Sequence, residues 1–162
     1  MKKILLSITL ILAVVLLIGS GEFLSTPKIT KSSEFVEKLN LGRNFYDMSF
    51  NAAQLTTTYL GIASEIGKPE AEKLLEKHLR KSTKERQAEW NANLTKSYLA
   101  FFSESELVSI ANELKNSPYA EKFEGKRPVV DKYMREISTE TLKSNLNEAL
   151  KNTFTEFNNK DT

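Results

Sequence analysis

Asn44 to Ile66 reads NFYDMSFNAAQLTTTYLGIASEI, and the fold turns on how this stretch is read. Phe45, Met48, Ala52, Leu55, Tyr59, Ile62 and Ile66 recur at intervals of 3, 4, 3, 4, 3 and 4 residues. At 3.6 residues per turn such positions share one face, so the spacing predicts one helix of about six turns with a single apolar stripe. Its other face carries Asn44, Asn51, Gln54, Thr56, Thr57 and Thr58, polar but nearly uncharged. A face of that kind suits contact with another helix or a second subunit.

The same period continues downstream. Gly67-Lys68-Pro69 ends one helix and starts the next, since Gly suits a C-terminal stop and Pro a first turn. Ala71, Leu74, Leu75, His78 and Leu79 form the inward stripe there, and Trp90, Leu94, Tyr98 and Phe101 extend it. Between them Ser82-Thr83-Lys84-Glu85 has the S-x-x-E form of a capping box and predicts a fresh helix or a kink. Ser103-Glu104-Ser105-Glu106 is a second capping box, opening a helix with Leu107, Ile110, Ala111 and Leu114 inward. Ser117-Pro118 restarts the chain, and Arg127-Pro128 predicts one more break. The last helix buries Leu142, Leu146, Ala149, Leu150, Phe154 and Phe157.

Upstream, Phe35, Val36, Leu39 and Leu41 predict a short helix capped by Ser32 or Ser33 and stopped at Gly42. No stretch alternates with the period of two that strands require. The expected fold is all-α: a compact bundle of about five to seven helices in a single domain over 32–158, with 159–162 as a disordered tail.

Met1-Lys2-Lys3, the apolar run Ile4 to Ile18, and Gly19-Ser20-Gly21 match the basic, hydrophobic and cleavage regions of a signal peptide over 1–21. Cleavage after Gly21 leaves 22–31 as a linker and sends the domain to the periplasm or beyond the cell. An uncleaved signal would instead anchor it in the inner membrane through residues 4–18. Ser20 stands where a lipoprotein signal needs Cys, which excludes acylation there.

The chain of 162 residues has 23 Lys and Arg against 21 Asp and Glu, and the surplus of +2 equals Lys2 and Lys3 alone. The remainder is therefore neutral, which argues against a nucleic-acid partner. With 40% hydrophobic residues it has the apolar content for a core. Having no Cys and one His, it has no disulfide, thiolate metal site or His-cluster metal site, and no cofactor is expected.

From Phe102 the residues become more specific. Phe102-Ser103-Glu104-Ser105-Glu106-Leu107, Leu114, and then Asn116-Ser117-Pro118-Tyr119-Ala120-Glu121-Lys122-Phe123 resemble the domain of unknown function 2059 family of small secreted bacterial helical proteins. The resemblance spans about residues 85–140 and implies a helical fold, export and a bacterial source. The chain departs from the family pattern with Leu114-Lys115 where two aromatics are common, and with Ala120 where Gly is common. No residue-level activity comes with it.

Two groups of residues are candidates for binding. Lys73, Lys77, Arg80, Lys81, Lys84 and Arg86 concentrate positive charge around His78, so that Lys77, His78, Arg80, Lys81 and Lys84 form either an anion or headgroup patch or a solvated helix face paired with nearby acids. Tyr59, Trp90, Tyr98 and Tyr133 would line an aromatic interior able to take an apolar or lipid-like ligand, or would simply pack the core. His78 is the one residue through which an enzyme reading would run, and it needs a cleft around it. The leading expectation is a non-enzymatic exported module that contacts a protein partner or forms a homodimer across the Thr/Asn face. The alternative is a carrier or sensor of an apolar ligand.

Overall fold

The structure is a computed structural model and describes residues 31–160; the expected signal peptide lies outside the described residues. The chain is all-α. Among the described residues six α-helices follow one another, α1 (Lys31–Lys38), α2 (Asn44–Gln54), α3 (Thr57–Ile66), α4 (Lys68–Leu99), α5 (Glu104–Glu113) and α6 (Ala120–Lys160), and there is no strand. Lys31, Asn159 and Lys160, expected in linker and tail, belong to helices. No described helix is long and apolar enough to cross a membrane.

α4 and α6, of 32 and 41 residues, pack along one another and form the largest interface. α2 and α3 lean on both of them, while α1 bridges α4 and α5. Two apolar clusters result. One gathers Phe35, Val36, Phe45, Trp90, Leu94, Tyr98, Phe102, Leu107, Ile110, Val130 and Met134; the other gathers Ala53, Tyr59, Ile62, Ala71, Leu75 and Leu150.

The six-turn helix expected over 44–66 is two helices. Thr56 takes an extended backbone, its Oγ1 accepts from the Tyr59 N–H at 3.2 Å, and its hydroxyl donates to the Ala53 carbonyl at 2.7 Å. A threonine that satisfies a helix start in this way competes with continuation of the helix before it. The break re-phases the stripe. Phe45, Ser49 and Ala53 face inward on α2, whereas Met48 is exposed and Leu55 is 83% exposed.

Two expected breaks are absent. α4 runs through Ser82-Thr83 because both hydroxyl side chains are buried against α6 rather than turned to cap a new helix. α6 runs through Pro128, and both Pro128 and Glu124, whose carbonyl loses its N–H partner there, are exposed, so water can reach the break in the ladder. Ser32 and Ser33, expected to cap α1, lie in its first turn.

The Ser103 capping box is present in full. Ser103 Oγ accepts from the Glu106 N–H at 3.3 Å, and Glu106 accepts from the Ser103 N–H at 2.8 Å. Leu114, expected inward, sits at φ 53 just past α5 with its side chain exposed. Ser117 then takes an extended backbone and accepts from the Tyr119 N–H at 3.2 Å, which restarts the chain into α6. α1 ends at Lys38, short of the stop expected at Gly42, and the left-handed residue is Asn40 at φ 49; Gly42 lies in a short 3-10 turn over Leu41–Arg43, where its carbonyl accepts from Gln87 at 3.1 Å and a Cβ would collide with Asn91.

Candidate functional site

The C-terminal half of α6 is flanked by a groove on each side, and the two differ in chemistry. The groove against α3 encloses about 580 Å³ and is lined by Ile62, Leu150, Phe154 and Phe157, with Thr57, Thr58, Gly61, Ser64 and Asn147 around them. A Cβ placed on Gly61 would meet nothing within 4 Å, so the space over α3 is open. Phe154, expected in the core, is 48% exposed on this groove. Leu60 is also exposed, on the α3 face that carries Thr57, Gly61 and Ser64. Glu65 on α3 and Lys151 on α6 supply the charge, one of each sign.

The groove against α4 encloses about 740 Å³ and is lined by Lys77, His78, Lys81, Asn152, Thr155, Glu156 and Asn159. Glu156 Oε2 accepts from Lys77 Nζ at 2.6 Å and lies 2.8 Å from His78 Nε2. The Lys77 hydrogen bond, with a smaller contribution from His78, holds the Glu156 carboxyl below the ordinary carboxylate range. A histidine paired with a carboxylate can hold a proton in place, as general acid–base chemistry requires. The Thr155 hydroxyl in the same groove donates to the Lys151 carbonyl at 2.9 Å.

Of the five patch residues singled out in the sequence, Lys77, His78 and Lys81 converge on this groove. Arg80 turns elsewhere, its guanidinium 4.7 Å from the Tyr46 ring centroid and 3.2 Å from Glu76. Lys84 is exposed one turn further along α4 and does not line the groove.

The four aromatic candidates are divided: Trp90 and Tyr98 share one apolar cluster, and Tyr59 and Tyr133 lie outside it and apart from each other. Trp90 stacks on Phe45 with centroids 4.4 Å apart, and Tyr98 packs among Phe35 at 5.0 Å and Phe123 at 5.6 Å. Tyr59 lies in the other cluster, and half-buried Tyr133 meets Phe101 edge-on at 6.4 Å. None of the four lines either groove. Burial pushes the Tyr98 hydroxyl above its ordinary value. The Tyr59 hydroxyl and Trp90 Nε1 are buried without a hydrogen-bond partner among the described residues.

The Thr/Asn face expected to meet a second subunit is divided. Gln54 donates to Glu72 at 2.8 Å and Thr56 caps α3, while Thr57 and Thr58 open onto the apolar groove.

Sequence reasoning missed Phe154 as a surface residue, and Glu156 altogether. A signal for Phe154 exists, because Ala149, Leu150, Thr153 and Phe157 already complete an inward face on α6, and Phe154 falls outside it. Glu156 carries none, since it meets His78 from 78 residues away. Among the described residues no three His, Asp or Glu side chains gather as metal ligands. No family model, curated protein or solved structure matches the chain.

Proposed function

We propose that the chain is exported by its N-terminal segment and works in the periplasm or outside the cell as a non-enzymatic interaction module, with the α3–α6 groove as its contact surface. The observation that carries this reading is Phe154, a large aromatic side chain left half in solvent on an open groove. Aromatic side chains anchor interfaces because they bury much area at low conformational cost. Around it the lining is apolar or neutral apart from Glu65 and Lys151, one charge of each sign, so the net charge to be desolvated on contact is nil. The resemblance of Phe102 to Phe123 to a family of secreted bacterial helical proteins, and the signal-like sequence of residues 1–21, support the export clause.

The test is native size separation of an envelope extract from the source cell. The wild-type chain is expected above monomer size, and Phe154→Ser is expected to return it to monomer size with its thermal melt unchanged. A monomeric wild type, or a Phe154→Ser chain that keeps the larger size, would overturn the reading.

A further inference from the structure

The structure points to a second copy of this chain as the occupant of the α3–α6 groove, seated by two-fold symmetry. This rests on the preceding reading of the groove as a contact surface. Phe154 of each copy enters the groove of the other, and Glu65 of each faces Lys151 of the partner subunit.

An isologous interface uses one patch twice, so that patch must complement itself. The groove meets this condition in shape and in charge. It presents both a projecting ring, Phe154, and an open recess floored by Ile62 and Leu150 over Gly61. Glu65 stands on the α3 side and Lys151 on the α6 side, and neither has an ion-pair partner among the described residues. A two-fold rotation that lays the groove on itself can bring the negative side of one copy to the positive side of the other, twice per dimer. A partner of single-signed surface would match only one side of the groove.

Sedimentation velocity on the chain as purified from its source cell tests the inference, using wild type, Glu65→Lys, Lys151→Glu and a 1:1 mixture of the two variants. Wild type is expected to dimerise reversibly. Each reversal alone places like charges together at both contacts and is expected to weaken dimerisation by about tenfold. The mixture is expected to recover the dimer, because the reversed site in each variant then meets its complement in the other. Recovery on mixing also shows that both variants are folded. A wild type that stays monomeric up to about 100 µM overturns the second copy as occupant. If irradiating a photo-reactive residue at position 154 then joins the chain to a different protein, the groove as a contact surface still stands. A wild-type dimer that neither reversal weakens, or weakened variants that do not pair on mixing, overturns the proposed geometry.

Discussion

The Ser82 hydroxyl on α4 donates to Asn145 Oδ1 on α6 at 2.6 Å, and both residues are buried. Asn145 Nδ2 in turn donates to Ser49 on α2 at 2.8 Å and to Thr83 at 3.2 Å. One amide thus ties three helices between the two apolar clusters. A second tie lies along the same seam, where Thr141 donates to Glu89 at 2.7 Å and accepts from Asn93 at 3.3 Å. Buried polar groups that are fully paired cost little, whereas unpaired ones cost about 1–3 kcal/mol each.

Asn145→Ala removes the amide partner shared by the Ser82, Ser49 and Thr83 hydroxyls, of which only Ser82 keeps a bond to residue 145, through the backbone carbonyl at 3.2 Å. It is expected to lower unfolding free energy by about 3 kcal/mol, against about 1 kcal/mol for Ser49→Ala. Urea denaturation followed by circular dichroism measures both. An Asn145→Ala chain as stable as wild type would mean the seam contributes nothing to stability.

This seam also marks the limit of what the sequence reveals. All-α class and the helix boundaries at Gly67, Ser103 and Ser117 were legible, because caps, prolines and glycines act within a few residues of themselves. The inward face of α6 was legible only in part: Ala149 and Leu150 are buried as expected, but Ser138, Thr141, Asn145 and Thr153 on the same face are polar. Apolar periodicity is blind to such a face. Ser82-Thr83 and Pro128 misled for a related reason: a local breaking preference of a few kcal/mol yields to packing along a long interface. The two grooves join residues that are far apart in sequence, so only their separate halves could be seen.

Pro128 interrupts the hydrogen-bond ladder of an otherwise continuous α6. Pro128→Ala restores an N–H at an exposed site and is expected to stabilise the chain by about 1–3 kcal/mol. Thermal unfolding gives the answer; a lower midpoint would show that α6 needs the proline.

Trp90 is the single tryptophan, so its emission reports directly on its stacking with Phe45. Phe45→Ala opens a cavity beneath it and is expected to cost about 3–5 kcal/mol and to shift the emission to longer wavelength. An unshifted spectrum with unchanged stability would contradict the stacked geometry.

Ser103→Ala removes the acceptor of the α5 capping box and is expected to cost about 1 kcal/mol in urea denaturation. The Glu106 carboxyl is held below its ordinary value near 4.5 by the Lys122 hydrogen bond and then by the Ser103 N–H. Glu156 is lowered by Lys77 and His78. A carboxyl lowered in the folded state contributes stability that is present above the unfolded value and lost as pH falls through the folded value. Glu106→Gln with Glu156→Gln is therefore expected to lose less stability than wild type below pH 4.5 or so. Urea midpoints measured across that range decide it, and identical acid slopes would refute both pairings.

The central claim is that the chain works through the groove at Phe154, and in-cell photo-crosslinking tests it most directly. A photo-reactive residue placed at position 154 in the source cell is expected to give a discrete adduct on irradiation, while the same residue at exposed Lys132 on the same helix gives none. No adduct at 154, or the same adducts from both positions, would contradict the account.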